Sequence, residues 1–264
     1  MSNYLQIITK EYQPKIQSLL DDLKSRKDKD FFRPTGTQVY VGKQGSGKTV
    51  SAVAHMLRLK IRYPRSIICT NVSLTGLEPL HFQDKQDLGH LLDDIDPERQ
   101  FVHFRTMDEL AIALVSINNG KYGVVYLVDE IHTYFNALDS KNIPMYVFTE
   151  ISQQRKQRKL IIGTSQLFMR LAKPFREQCD NIIVCNTHFG VLTTQKAYDG
   201  MDIEQDYSGK LVGTLKKRGW FYHTPEIRNA YDTYQKVVSG LEQYETSKPV
   251  EISIDRKTKK LLAK

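Results

Sequence analysis

Hydrophobic residues in the first part of the chain follow two periods, one typical of strands and one typical of helices. A β-branched run covers residues 37–42, apolar residues at helical spacing cover 48–62 before Tyr63 and Pro64, and "SIICTNVS" covers 66–73. Strand, helix and strand in this order predict a βαβ unit, whose two strands lie parallel in one sheet.

Further apolar runs extend this sheet. The segment "VVYLV" at 124–128 is continuously apolar, as expected of a central strand covered on both faces. Two more strands are predicted at 159–166 and within "NIIVCNTHFG", and a polar helix ending in "ISQQRKQR" is predicted before the first of them. Another helix is predicted to begin after Thr106, because Thr106 and Glu109 have the spacing of a capping box.

The pattern changes after residue 188. Shorter runs punctuated by turns, "VLTTQKAYD" and "YSGKLVGTLKKRGWFYH", predict hairpins or edge strands instead of further βα units. The aromatic residues Trp220, Phe221 and Tyr222 are expected to pack beneath a hairpin, with stacking on a ligand as the alternative.

The chain is therefore expected to fall into four parts. An N-terminal helical extension, which contains an amphipathic helix at 14–24, precedes an α/β core that further strands complete. The boundaries are 1–35 for the extension, 36–188 for the core, 189–240 for the C-terminal strands and hairpins, and 241–264 for a basic tail.

Composition narrows the class of protein. With 264 residues, 40% of them hydrophobic, the chain is long enough for one large α/β domain with a small appendage. No apolar stretch reaches the length of a membrane helix, and the N-terminus lacks the apolar centre of a signal peptide, so a cytoplasmic protein is expected. The three cysteines, Cys69, Cys179 and Cys185, lack metal-ligand spacing and are expected to be buried thiols.

The segment "GKQGSGKT" at 42–49 satisfies the phosphate-binding pattern G-x-x-x-x-G-K-[ST]. Its backbone N–H groups would surround the phosphates of ATP at a helix N-terminus, Lys48 would bridge the β- and γ-phosphates, and the Thr49 hydroxyl would bind Mg²⁺. The alternative is an ordinary glycine-rich turn. The expected nucleotide contacts are Gly42, Lys43, Gln44, Gly45, Ser46, Gly47, Lys48, Thr49 and Val50.

Two carboxylates follow the apolar run at 124–128. Asp129 is expected to hold the Mg²⁺ ion together with Thr49, as the acidic residue that such a loop requires at the end of a neighbouring strand. Glu130 would orient or deprotonate the attacking water, which a hydrolase needs and a kinase does not. The alternative is that Glu130 only begins the next helix, where the helix dipole favours an acidic residue.

A third strand end carries Thr164, Ser165 and Gln166. The carboxyl ends of parallel strands meet at one edge of a sheet, so these polar residues point to the same site. Gln166 would hydrogen-bond the γ-phosphate or the water and report the state of the nucleotide. As an ordinary turn residue it would have no such role.

These segments, in this order, resemble the FtsK/HerA superfamily of additional-strand P-loop ATPases, and are similar in particular to its zonular-occludens-toxin-like and viral genome-packaging branch. The resemblance covers about residues 36–238. Its motifs are "GKQGSGKT", "IICTNVSL" with Asn71 at the strand end, "VVYLVDEIHTYF", "RKQRKLIIGTSQ", "PFREQCDNIIV" and "YDTYQKV". It implies an α/β, RecA-like P-loop fold with a mostly parallel central sheet flanked by helices and C-terminal β-hairpins.

The resemblance also implies a ring, usually a hexamer, in which ATP lies between subunits. A neighbouring subunit then inserts an arginine toward the γ-phosphate, and this role maps to Arg155 or Arg158, with Arg176 as a third candidate. An arginine at this position neutralises the charge that develops during phosphoryl transfer. The alternative is that "QQRKQRK" is an ordinary solvated helix end, where cations are favoured.

The function implied by the resemblance is an ATP-hydrolysing translocase of double-stranded DNA, most simply a viral genome-packaging ATPase in host cytoplasm or virion. A capsid-vertex or membrane protein is the expected docking partner. Filamentous-phage relatives have a membrane segment near the C-terminus, and "KTKKLLAK" here has none, which favours packaging over extrusion. DNA would contact one of two basic clusters, unless they are solvated faces. The clusters are Lys216, Lys217 and Arg218, or Lys257, Lys259 and Lys260.

Three alternatives stay open. A membrane-partnered phage-assembly or conjugation ATPase would use the same site on a nucleoprotein cargo. A nucleotide or small-molecule kinase would share the phosphate loop, although Glu130 argues against it. A binding protein with a degenerate loop would use ATP only as a structural ligand.

Overall fold

The computed structural model of the protein describes residues 28, 30–75, 80–82, 86, 88, 101–206 and 210–231. The predicted amphipathic helix at 14–24, the basic tail with its three lysines, and most of "YDTYQKV" lie outside the described residues. Within the described part, no helix is both long and apolar enough to cross a membrane.

The described residues form eleven strands and five α-helices. The strands are β1 (Gly36–Val41), β2 (Ile67–Thr70), β3 (Leu80–His81), β4 (Phe101–His103), β5 (Val124–Val128), β6 (Lys159–Ser165), β7 (Asn181–His188), β8 (Leu192–Asp199), β9 (Glu204–Gln205), β10 (Leu211–Val212) and β11 (Leu215–Tyr222). The helices are α1 (Lys48–Arg62), α2 (Met107–Ser116), α3 (Met145–Ser152), α4 (Lys173–Arg176) and α5 (Pro225–Asn229).

Nine of the described strands form one sheet in the order β11-β8-β7-β1-β6-β5-β2-β4-β3. All pairs from β7 to β3 are parallel, whereas β8 and β11 join the β7 edge as antiparallel strands. The predicted α/β class is confirmed, with a mostly parallel sheet and antiparallel strands at the C-terminus.

The strands at the middle of the sheet are buried on both faces. Every residue of β5 and of β6 is buried, as the continuous apolar run of β5 predicts. Apolar side chains fill a layer on each face, one that includes α1 and one that includes α2 and α3. The three cysteines are buried and unpaired, as expected from their apolar surroundings.

Helix α1 begins and ends where the sequence predicts, and α2 begins where the sequence predicts. Helix α1 starts at the lysine of the glycine loop and ends before Tyr63, at the Tyr63-Pro64 stop. At the start of α2, the Thr106 side chain accepts a hydrogen bond from the Glu109 N–H, and the Glu109 carboxylate accepts one from the Thr106 N–H. This reciprocal pair is the predicted capping box.

Two predicted elements are shorter in the structure. The helix expected to end at Arg158 ends at Ser152, and residues 153–158 form turns, because the chain must reverse before it enters β6. Arg158 adopts a left-handed conformation, with φ of 53°, at this reversal. Strand β2 ends at Thr70 because the next side chain, Asn71, binds the backbone of another strand end.

The C-terminal aromatic residues do not all pack as predicted. Phe221 is buried against Val50 and Ala54 of α1. Trp220 and Tyr222 alternate with Phe221 along β11 and therefore point to the other face, where their side chains are 66% and 59% exposed. The expectation that all three lie beneath a hairpin was wrong for these two.

The capping box gives a test of the local helix assignment. Thr106→Ala should lower the free energy of unfolding by about 1 kcal/mol, because the Glu109 N–H loses its acceptor. Thr106→Ser keeps the hydroxyl and should stay close to wild type. Urea unfolding followed by circular dichroism measures both, and equal stability of Thr106→Ala and wild type would contradict the capping role.

Candidate nucleotide site at the carboxyl edge of the sheet

Three strand ends bring the predicted site residues together. Strand β6 lies between β1 and β5, and all three run parallel, so their carboxyl ends open onto the same edge. The glycine loop follows β1, Asp129 and Glu130 follow β5, and Gln166 follows β6. Residues far apart in sequence therefore meet at one edge because of strand order. The glycine loop, Asp129 and Glu130 line a cavity there, and Gln166 lies beside Glu130.

The glycine loop needs glycine at its junction with α1. Gly47 lies in the left-handed region with φ of 82°. A Cβ at this position would lie 2.4 Å from the hydroxyl oxygens of both Thr187 and Thr193. Strands β7 and β8 thus pack directly against the loop, and only a residue without a side chain fits at position 47.

The polar groups inside the loop suit a phosphate ligand. Lys48 is 6% exposed, and its ammonium donates to the Lys43 carbonyl at 3.1 Å, which uses one of its three protons. The buried Ser46 hydroxyl has no hydrogen-bond partner among the described residues. A buried polar group without a partner is costly, so the loop fits an anionic ligand that would satisfy it.

Asp129 lies between two threonine hydroxyls. Thr49 Oγ1 donates to its Oδ1 at 2.9 Å, and Thr164 Oγ1 donates to the same atom at 2.6 Å. Burial raises the pKa of Asp129, and the hydrogen bonds from Thr164 and Thr49 act against this rise. A hydroxyl and a carboxylate in contact are oxygen ligands of the type Mg²⁺ prefers, so Thr49 and Asp129 fit such an ion.

The backbone of Asp129 is fixed by Asn71 at the end of β2. The Asn71 amide accepts from the Asp129 N–H at 2.8 Å and donates to the Asp129 carbonyl at 2.9 Å. The same amide nitrogen donates to the Tyr134 hydroxyl, which in turn donates to the Arg105 carbonyl. The strand-end asparagine is therefore a positioning residue that joins two neighbouring strands.

Glu130 has an unusual backbone and a paired side chain. It adopts a left-handed conformation with φ of 47°, and its N–H donates to Thr164 Oγ1 at 2.9 Å. Its Oε2 lies 3.1 Å from His132 Nδ1. Burial favours a higher pKa for Glu130, but the hydrogen bond and charge of His132, followed by Lys48 and a hydrogen bond from Gln166, lower it overall.

Glu130 therefore lies beside the glycine loop with a pKa below its usual range, in contact with His132 and Gln166. His132 was not predicted from the sequence, although "DEIH" places it two residues after Glu130. Glu130 also precedes a short 3-10 helix at Ile131–Thr133, as the alternative interpretation expected. It lines the cavity as well, so the two interpretations are compatible.

The cavity at this edge has a volume of about 530 Å³. The glycine loop, Asp129 and Glu130 form one side of it. The C-terminal region forms the other side, with His223, Arg228 and Tyr231 and the backbone of Gly190. Of these residues, the sequence marked only Tyr231, as the first residue of "YDTYQKV". They reach the cavity because β11 is antiparallel to β8 and so returns the chain to the edge where the glycine loop lies.

The proposed trans arginines lie at the opposite edge. Both precede β6, whose seven residues separate them from Gln166 by about 20 Å. Arg155 is exposed and donates to Asp180 at 3.1 Å, whereas the Arg158 guanidinium lies 3.7 Å from the centre of the Phe31 ring. Arg176 contacts the sulfur of Met169. Neither Arg155 nor Arg158 can therefore serve the cavity of its own chain.

Comparison with known proteins identifies the family. A model of the zonular occludens toxin (Zot) family matches residues 37–216, which is more than half of the chain. The chain belongs to the Zot family. The match spans the glycine loop, Asp129 and Glu130, Gln166 and the first residues of β11, so the Zot region and the sheet that builds the site largely coincide.

Solved structures give a likeness of fold. The N-terminal domain of zonular occludens toxin from Neisseria meningitidis is 15% identical, with a TM-score of 0.48, over 76% of this chain and 100% of that one. The genome packaging NTPase B204 from Sulfolobus turreted icosahedral virus 2, in complex with AMP, is 17% identical, with a TM-score of 0.47, over 70% and 98%. Among proteins of curated function, no match to this chain is found.

The two hydrogen bonds between the Asn71 amide and the Asp129 backbone give a test of how Asp129 is held. Asn71→Leu should lower the free energy of unfolding by about 2 kcal/mol or more, because the buried N–H and C=O of Asp129 lose their partners. Tyr134→Phe keeps both of these bonds and should cost less, about 1 kcal/mol. Urea unfolding measures the stability of both variants, and an Asn71→Leu protein as stable as wild type would show that these hydrogen bonds do not contribute to the free energy of unfolding.

Proposed function

We propose that this Zot-family protein hydrolyses ATP with Mg²⁺ and uses the energy to move double-stranded DNA, as a viral genome-packaging ATPase. The observation that carries the hydrolase part is the Glu130 carboxylate, which has a lowered pKa and lies beside the buried Lys48 and the Asp129 network. A kinase has no need of a carboxylate that accepts a proton from water next to the magnesium residue.

The residues have distinct roles in this proposal. The backbone N–H groups of residues 42–50 and the Lys48 ammonium bind the β- and γ-phosphates. Thr49 and Asp129 hold Mg²⁺, which supplies charge neutralisation at the phosphate oxygens when bound. Thr164 keeps Asp129 and Glu130 in register, because its hydroxyl accepts from the Glu130 N–H and donates to the Asp129 carboxylate.

Glu130 accepts a proton from the water that attacks the γ-phosphorus. A new bond forms between the water oxygen and phosphorus, and the bond between phosphorus and the β,γ-bridging oxygen breaks, so that ADP and phosphate leave. His132 holds the Glu130 carboxylate in its charged form, and Gln166, which hydrogen-bonds Glu130, orients the water or contacts the γ-phosphate. The proton on Glu130 is then released to solvent.

Movement of DNA requires that one subunit responds to the nucleotide bound at its neighbour's site. We propose a ring, hexameric as the family resemblance implies, in which an arginine before β6 reaches the neighbour's phosphate. Arg155 suits this role better than Arg158, because its side chain is 76% exposed and held by one surface contact to Asp180. Arg158 is committed to Phe31 and to the Phe32 carbonyl within its own chain. The net charge of +8 suits a polyanionic cargo.

Glu130→Gln tests the hydrolytic role. The amide keeps the shape of the side chain but cannot accept the proton, so we expect kcat to fall by about 10²- to 10⁴-fold while ATP binding is retained. Phosphate release measures turnover, and a fluorescent ATP analogue measures binding. Glu177→Gln, at an exposed surface pair with Lys173, is the control and should behave as wild type. Unchanged turnover in Glu130→Gln would overturn the proposal.

Mixed variants test whether the arginine acts between subunits. Lys48→Ala and Arg155→Ala should each abolish most turnover alone, because one lacks the phosphate lysine and the other the trans arginine. Mixed together, they should recover part of the ATPase activity at interfaces that pair the two intact residues. The ATPase rate across mixing ratios measures this. Absence of recovery at every ratio would argue against a shared site, and recovery with Arg158→Ala instead would reassign the residue.

A further inference from the structure

A second groove lies on the same face of the sheet as α1, away from the nucleotide cavity. It has a volume of about 530 Å³ and runs between the C-terminal half of α1 and strands β7, β8 and β11. Its floor is apolar, with Ile183, Ala197 and Phe221. Gly219 of β11 also lines it, and the lack of a side chain there leaves the groove open.

Three cations line this groove, and no carboxylate does so among the described residues. They are Arg58, Lys216 and Lys217. Lys216 is partly neutralised, because its ammonium lies 3.0 Å from Asp199 Oδ2. The Arg58 guanidinium is held 5.6 Å above the centre of the Phe221 ring, which orders it without neutralising its charge. The groove therefore keeps a positive charge suited to an anion.

The remaining walls carry amides. Gln38, Asn181 and Gln195 provide donors and acceptors around the cations. Trp220 borders the groove through its place on β11, but its ring lies on the opposite face of the strand, 5.5 Å from the Tyr222 ring. Cations beside neutral amides are the combination by which proteins hold a phosphate backbone.

We propose that this groove binds the sugar-phosphate backbone of nucleic acid, with Arg58 and Lys217 on phosphates and the amides beside them. The proposal rests on the proposed function, because it names the surface through which such a motor would hold its cargo. An acidic protein segment would satisfy the same cations and is the alternative outcome of the test.

Helix α1 connects this groove to the ATP site. Its first residue, Lys48, lies in the glycine loop, and Arg58 follows ten residues later, about 15 Å along the same helix. Strand β11 makes a second connection, since Lys217 lies near its start and His223 of the nucleotide cavity follows its end. One helix and one strand therefore connect the two sites directly.

The test compares two double variants with the same loss of charge. Arg58→Gln with Lys217→Gln removes the groove cations. Arg62→Gln with Lys141→Gln is the matched control, because Arg62 also lies over an aromatic ring, Tyr63, at 5.7 Å, while neither control residue lines the groove. Fluorescence anisotropy with a labelled short duplex and with a labelled oligothymidine measures affinity at several salt concentrations.

The groove variant should bind duplex DNA more weakly and with a shallower salt dependence. Each lost phosphate contact should reduce the slope of log affinity against log salt by about 0.9, so the pair should reduce it by about 1.8. The control should keep the wild-type slope. The duplex and oligothymidine arms show which form of nucleic acid the groove holds.

ATPase activity without DNA should be the same in wild type and in both double variants. Absence of ATPase activity in wild type would contradict the proposed function, whereas the groove is tested by the binding slope. Equal slopes for the groove variant and the control would overturn the groove proposal. Binding of a labelled polyglutamate peptide that the groove variant loses, with DNA binding unchanged, would overturn it in favour of an acidic protein partner.

Discussion

A buried carboxylate at the end of β5 determines how the site is built. Asp129 is desolvated, which raises its pKa, and it is held in place by hydroxyls from the glycine loop and from β6 and by the amide of Asn71 from β2. Three neighbouring strands and the loop therefore have to be correctly placed for all the hydrogen bonds of Asp129 to form. An oxygen cluster of this kind is expensive to bury unless its hydrogen bonds are complete or a cation is bound.

The antiparallel strands at the C-terminus complete both candidate sites. The hydroxyls of Thr187 and Thr193 contact each other at 2.7 Å behind Gly47, and Thr193 also contacts His223 Nε2 at 2.7 Å. The far wall of the nucleotide cavity and the basic groove are both made by this region. Helix α1 begins at the first and lines the second, so one rigid element serves the two sites.

Much of the parallel core could be predicted from sequence because its signals are local. A continuous apolar run gives β5, a capping box gives the start of α2, and the glycine loop gives the start of α1. The order of motifs on parallel strands then predicts that Asp129, Glu130 and Gln166 meet. Contacts between distant segments could not be predicted in this way. The pairing of Glu130 with His132, the reversal at Arg158 and the exposure of Trp220 all depend on how strands and turns pack.

The central claim is that the Lys48 and Asp129 network binds ATP with Mg²⁺ for hydrolysis. Phosphate release from ATP by the purified wild-type protein, measured in Mg²⁺ and again in excess chelator, tests it most directly. We expect steady release with Mg²⁺ and none after chelation, because Thr49 and Asp129 supply oxygen ligands for the cation but no positive charge of their own. No release in either condition, or equal release in both, would contradict the account.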